Sequence, residues 1–193
     1  MGKLLVVGLG NPGPEYTKHR HNAGFMVLEE VARRAGETLE QRKFLGRYAT
    51  AQVGMKPAVL LLPETWMNRS GRSVARALGF YDVLAEDVVV VHDDMDVPFG
   101  QVKVKSGGGH GGHNGLRSIF ADAGIRDFLR VRVGIGRPPH GDAVNHVLSA
   151  FDKDERAELS WLVDSAADAV EALARDGFAA AANRINGPEG STV

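Results

Sequence analysis

A single α/β domain is predicted by three observations. Short apolar runs of strand length recur along the 193 residues, at 4–9, 58–62 and 87–91. Stretches with apolar residues at three–four spacing lie among them, as at 22–34 and 154–174. No linker, composition break or fixed-period repeat divides the chain.

The elements follow in order. Residues 4–9 are continuously apolar and stop at Gly10-Asn11-Pro12-Gly13-Pro14, which reads as a buried strand and a turn. Phe25, Leu28, Val31 and Ala32 predict a helix over 22–34, with Gly36 as its stop. Residues 47–53 and 58–62 read as two strands with Gly54 in the turn between them. Val74, Ala75 and Leu78 mark a short helix over 68–78, ended by Gly79. The β-branched run at 87–91 predicts a central strand that ends in His92-Asp93-Asp94-Met95-Asp96. A short strand over 102–105 precedes the glycine loop Ser106 to His113, and a helix over 116–123 follows it. Residues 128–134 alternate, with Phe128, Arg130 and Arg132 opposite Leu129, Val131 and Val133, as in a strand with one polar face. A Pro/Gly loop covers 136–142. Asp154 is the expected cap of a long helix that runs to 174 and is closed by Gly177. A last short helix is expected over 178–185, with 186–193 as a frayed tail.

Composition excludes several classes. The chain has no cysteine, so it has no disulfide framework, no Cys-ligated zinc or iron–sulfur site and no cysteine nucleophile. No apolar run approaches the ~20 residues of a membrane span. The N-terminal apolar stretch is too short for a secretory signal, so a cytoplasmic location and no membrane partner are expected. The net charge of −1 hides an asymmetry. Residues 1–81 carry 12 basic against 6 acidic groups, whereas residues 151–193 carry 4 against 9. A basic first half suits a polyanion, although folding can also interleave such charges.

Gly8-Leu9-Gly10-Asn11-Pro12-Gly13 matches the dinucleotide fingerprint G-x-G-x-x-G after a strand. Its context is wrong for a nucleotide-dependent oxidoreductase. The glycines of that motif open a helix that receives pyrophosphate. Here Pro12 and Pro14 disfavour helix at the residues before them, and the helix is expected only from 22. The glycine loop 106–112 lacks the G-K-[ST] ending of a nucleotide P-loop. His92 with Asp94, and His110 with His113, have metal-ligand composition, but no rigid helical face and no H-E-x-x-H presents them.

Polar residues collect where strands end: Asn11 and His21-Asn22, Met67-Asn68, Asp93, and His113-Asn114. Ligand sites in α/β sheets form outside the carboxyl ends of strands. Histidine can take a proton from water, a carboxylate on its second nitrogen fixes the tautomer, and asparagine amides can donate to a developing oxyanion. No serine sits in a G-x-S-x-G elbow, so water is the more natural nucleophile.

These residues fall in blocks that resemble the bacterial peptidyl-tRNA hydrolase family. The blocks are Val7 to Tyr16 (VGLGNPGPEY), Arg20-His21-Asn22-Ala23-Gly24, and Pro63 to Gly71 (PETWMNRSG). They continue with His92 to Asp96 (HDDMD), Gly107 to Leu116 (GGGHGGHNGL) and Arg130 to Pro138 (RVRVGIGRP). The resemblance covers nearly the whole chain in order, with the last ~40 residues matching loosely. It implies one α/β domain with a twisted, mixed, largely parallel sheet surrounded by helices. It also implies a monomer that cleaves the ester between a peptide and the 3′ ribose of tRNA without metal or cofactor.

Carried over position by position, the resemblance makes His21 the catalytic base and Asp93 the acid that orients it. Asn11, Asn68 and Asn114 become the amides around the ester, with Asn114 on the attacking water. Tyr16, Met67 and His113 line the peptide groove, and Lys105 and Arg132 clamp the tRNA 5′ phosphate. The glycines at 109–112 let backbone approach the substrate, and the loop at 138–142 resembles a lid. The C-terminal helix of the family helps to hold tRNA, but here that segment is acidic. The tRNA contacts are therefore expected on Lys103, Lys105, Arg130 and Arg132 at the acceptor end. The alternative on the same fold is a non-catalytic RNA-binding module, which the intact pair His21 and Asp93 argues against.

Overall fold

The computed structural model describes residues 2–187, so residues 188–193 of the expected tail lie outside the described part. The strands and helices follow the chain as β1 Leu4–Gly8, α1 Ala23–Arg34, β2 Gln41–Lys43, β3 Gly46–Val53, β4 Lys56–Pro63, α2 Ser70–Tyr81 and β5 Val88–Asp94. Then come β6 Val102–Ser106, α3 Asn114–Ser118, β7 Leu129–Gly134, α4 Ala143–Val147, α5 Lys153–Asp176 and α6 Phe178–Asn186. The seven strands form one sheet in the order β2-β3-β4-β1-β5-β7-β6. Its centre, β4-β1-β5-β7, is parallel, and both edges are antiparallel. The sheet is therefore mixed and largely parallel, as expected.

The continuous apolar runs mark strands covered on both faces, as parallel sheets require. Alternate side chains of β1 enter different layers. Leu4 and Val6 pack with Val27, Leu162 and Val170 of α1 and α5. Leu5 and Val7 pack with Val74 of α2, Leu116 of α3 and Ile119 of the π turn Ile119–Ala123 that extends it. Each such fully buried side chain is worth about 1.5–3 kcal/mol, so the parallel centre carries most of the stability. Gly24 lets the first turn of α1 close onto this centre: a Cβ there would lie 2.5 Å from the Leu9 amide nitrogen. That contact places the turn before α1, which carries His21, beside the end of β5.

Several local expectations are corrected. Gly79 does not end α2, which continues to Tyr81 and stops at Asp82 in the left-handed region with φ 52°. Phe80 and Tyr81 stack on Phe44 with ring centroids 5.3 and 5.5 Å away, and these contacts carry the helix past the glycine. The cap of α5 is Asp152, not Asp154, in a reciprocal capping box with Glu155. The strand at 129–134 keeps Arg130 and Arg132 on one face, but Arg130 there is buried. Neither β2 nor α4 was predicted: β2 is three exposed polar residues, and α4 is only five residues long after a Pro/Gly loop. The edge of β6 is covered by the Asn186 side chain, which bonds Val104 N and O at 2.9 Å each. Among the described residues no helix is long and apolar enough to cross a membrane.

Candidate active site

The parallel strands β4, β1 and β5 end on one side of the sheet, and the predicted polar residues meet there. Asp93 is the second-last residue of β5 and is buried. His21 lies in a 3-10 turn, Arg20–Asn22, just before α1. Its Nδ1 is 3.0 and 2.9 Å from the two oxygens of Asp93. With the Nδ1 proton on that carboxylate, Nε2 carries the free lone pair. Burial alone lowers the His21 pKa, but the charge and hydrogen bond of Asp93 outweigh it and leave it raised. Burial pushes the Asp93 carboxyl up, yet His21 and His113 together hold it well below the usual carboxylate range. Burial and the neighbouring His113 push His92 down to about 3.

The asparagines form a frame around this pair. Asn11 follows β1, and its Oδ1 accepts from Met67 N at 2.8 Å, which leaves its Nδ2 as the free donor. Asn22 holds the Asn11 backbone on both sides: Asn11 N donates to its Oδ1 and its Nδ2 donates to Asn11 O, each at 3.0 Å. Asn68 sits in the 3-10 turn before α2, and Asn114 opens α3; both are exposed.

Two cavities meet at His21. One, of about 450 Å³, is lined by His21, His113, Asn114, Lys105, Arg132 and the glycine loop. The other, of about 360 Å³, is lined by His21, Asn11, Trp66, Met67, Asn68 and Asn114. Val144 and Val147 of α4 border both. The residues common to both are thus His21, Asn114 and the two α4 valines. The first cavity is only marginally basic, with Lys105, Arg130, Arg132 and Arg137 against Asp93, Asp94 and Asp96, and the second is largely apolar and amide-lined. A substrate with an anionic half on Lys105 and a peptide-like half can lie across the histidine.

Ten residues were given a role in the catalytic pair, the substrate groove or the phosphate clamp, and nine of them line these cavities. The exception is Tyr16, whose ring meets the edge of Trp66 at 5.8 Å; Trp66 itself lines the second cavity. His113 is placed against Asp93, with Nε2 2.9 Å from Oδ1. Of the four basic residues on the paired strands β6 and β7, three already have internal partners. Arg130 donates to the carbonyls of Gly109 and Gly108 at 2.5 and 2.6 Å, and so fixes the glycine loop. Lys103 Nζ donates to Asn186 O at 3.2 Å. Internal bonds thus occupy donors of Lys103 and Arg130, both of which were expected to contact tRNA. Lys105 is exposed with its ammonium open to the first cavity, and Arg132 is held at 2.7 Å by Asp94. No metal-ligand set of the kind weighed in the sequence is assembled by His92 with Asp94 or by His110 with His113. His21, Asp93 and His113 converge within 4.8 Å, but hydrogen bonds among the three already account for that approach.

Four residues that shape the site escaped the sequence reading. Asn22 was read only as a neighbour of His21. Arg20 is buried, and its guanidinium collects Ser149 Oγ, Ala150 O and Glu155 Oε2, which ties the segment after α4 to the turn that carries His21. Val144 and Val147 were lost with α4. The signal for Arg20 was present only as an arginine directly before the candidate base.

The fold and this cluster define a mixed-sheet α/β protein with a carboxylate-held histidine at the carboxyl ends of its central strands. The chain belongs to the peptidyl-tRNA hydrolase family, whose profile matches residues 5–192. A peptidyl-tRNA hydrolase of Geotalea daltonii is 52% identical over 178 residues, covering 92% of this chain and 93% of that protein. One from Geobacter sulfurreducens is also 52% identical, covering 92% of each. The crystal structure of peptidyl-tRNA hydrolase from Acinetobacter baumannii superposes with a TM-score of 0.88 at 41% identity, covering 95% of this chain and 94% of that one.

Proposed function

We propose that the chain hydrolyses peptidyl-tRNA at the ester between the peptide and the 3′ ribose, with water as nucleophile. The carrying observation is His21 at the junction of the two cavities, its Nδ1 held by Asp93. The ester lies at that junction. The peptide occupies the amide-lined cavity, and the acceptor end of tRNA occupies the basic one, with its terminal phosphate on Lys105 and Arg132. Asn114 orients the water, and His21 Nε2 takes a proton from it as oxygen attacks the ester carbonyl. Asparagine amide hydrogens stabilise the tetrahedral oxyanion. The C–O bond to ribose then breaks, and the 3′ oxygen takes the proton from His21. Asp93 keeps the imidazole oriented and stabilises its charged form. Asn11 and Asn68 hold the peptide and the terminal adenosine, and Met67 forms the groove floor with Tyr16 behind Trp66.

The family resemblance implies action as a monomer. The substrate arises at the ribosome, so the cytoplasm is where the activity is needed. The test is incubation of the purified protein with N-acetylated peptidyl-tRNA in EDTA. Free acetyl-peptide and intact, deacylated tRNA are expected. Intact substrate that co-purifies with the protein would instead support the RNA-binding module.

A further inference from the structure

We propose that His113 is a positioning residue for the reaction: its ring locks Asp93 in place by donating from Nε2, and the first turn of α3 fixes the tautomer that makes this donation possible. This rests on the reading of His21 as the base.

Asp93 faces His21 symmetrically, with both oxygens about equally far from one Nδ1. A single N–H shared in this way defines the carboxylate plane weakly. The His113 Nε2 at 2.9 Å from Oδ1 removes that freedom, because only one of the two oxygens has a second partner. The His113 ring is in turn oriented from its other side. His113 is the N-cap of α3, and its Nδ1 accepts from Gly115 N at 3.1 Å and Leu116 N at 3.4 Å. A ring nitrogen that accepts amide protons carries none, so the proton of the neutral ring is on Nε2, facing Asp93. Caps are usually hydroxyl, carboxylate or amide side chains, whose oxygen accepts. An imidazole does the same work here and has a second nitrogen left for Asp93. The ring is walled by His21 at 4.8 Å and His92 at 5.1 Å between centroids, and the Met67 sulfur and a Leu9 methyl pack so closely on Gly115 that both would have to shift to admit a Cβ there.

The groups that face the His21–Asp93–His113 chain are His92 on β5 and, one residue beyond Asp93, the Asp94–Arg132 ion pair. His92 Nδ1 donates to the backbone carbonyl of Asp93 at 2.8 Å, but none of these groups donates to the Asp93 carboxylate among the described bonds. Loss of the His113 donor would leave the Asp93 charge more fully on His21 and hold the imidazolium more tightly. The base would then stay protonated to a higher pH.

Two substitutions divide the two ends of the ring. Gln places an N–H₂ near the position of Nε2 but offers no acceptor at the place of Nδ1. Asn places an acceptor near Nδ1 and keeps the cap, but does not reach Asp93. We expect His113→Gln to keep kcat within about threefold of wild type, with an unchanged pH profile. We expect His113→Asn to lose about tenfold or more in kcat, as for one hydrogen bond to a buried charge, with little change in KM and the acid limb moved to higher pH. The reverse order, Asn active and Gln impaired, would overturn the proposal in favour of a purely structural cap. A rise in KM for both, with unmoved pH profiles, would overturn it in favour of a groove-lining role. A folding-independent check is the ring ¹⁵N spectrum of the wild-type protein: the proposal requires His113 protonated on Nε2, and a proton on Nδ1 refutes it. His21→Ala, assayed on the same substrate, separates the two levels: if it keeps activity the base assignment falls, whereas the tautomer of His113 is read without reference to turnover.

Discussion

Two clusters of charge join distant parts of the chain, and they differ in what water can reach. On the outside, Arg34 of α1 meets four carboxylates. Its guanidinium lies 2.8 Å from Glu30, 3.2 Å from Asp164, 2.6 Å from Asp168 and 3.3 Å from Glu171. The Asp168 side chain is 71% exposed, so this cluster is screened. Inside, Asp93 meets two imidazoles with its side chain only 2% exposed. The outer cluster explains the charge asymmetry of the sequence. The acidic C-terminal segment lies against the basic first half, through Arg34 and through Arg20 with Glu155. Charges that cancel this way support packing. Those left open at a cavity, Lys105 above all, are the ones available to a ligand.

That contrast can be broken at several points. The largest effect is expected from Asp93→Asn, which keeps the volume but removes the charge and permits the wrong tautomer of His21. Its kcat should fall by ~10²-fold or more, measured by steady-state release of peptide.

The pH dependence sharpens the same point, because activity and stability should diverge. Only unprotonated His21 can accept a proton, and its pKa is raised. The acid limb of kcat/KM should therefore have its midpoint above the ordinary value of 6.5. The raised pKa stabilises the fold fully below the unfolded value and loses that contribution as pH rises through the folded one. The lowered Asp93 pKa works oppositely: its contribution is present above about 3.8 and is lost as pH falls through the folded value. As pH rises from 6.5 through the folded His21 value the rate should thus increase while the His21 contribution to Tm is lost, whereas below 6.5 the buried neutral His92, held down at about 3, takes stability away together with the rate. Parallel rate and melting series on both sides of pH 6.5 check this.

A smaller effect is expected at the basic cavity. Lys105→Ala should raise KM for peptidyl-tRNA several-fold with kcat nearly unchanged. It should also reduce the slope of log Kd against log salt by about 0.7–0.9, the share of one phosphate contact. Smallest is Arg34→Ala on the outer cluster. It should cost on the order of 1 kcal/mol in denaturant melts at low salt, less at high salt, and leave kcat/KM unchanged.

How far the sequence reading reached follows the same division between local and distant effects. β1 and β5 and helices α1 and α5 were written in residues whose burial follows from their own periodicity. β2 and α4 were not, since three exposed polar residues and a single turn of helix carry no period of their own. Gly79 misled because the stacking of Phe80 on Phe44 joins segments 36 residues apart. The site residues were identified by kind and block, because histidine, aspartate and asparagine at strand ends suggest hydrolysis. Their mutual bonds were not. Nothing local distinguishes the open Lys105 from Arg130, which turns inward onto the glycine carbonyls. Likewise nothing near His113 announces that it shares Asp93 with a residue 92 positions earlier.

The central claim is that His21 performs chemistry and not binding. Single-turnover cleavage of N-acetylated peptidyl-tRNA by excess wild-type protein or His21→Ala, with tRNA binding measured on the same samples, tests it most directly. The account predicts that His21→Ala binds tRNA as tightly as wild type and cleaves at least ~10²-fold more slowly. Cleavage by His21→Ala at the wild-type rate would contradict it.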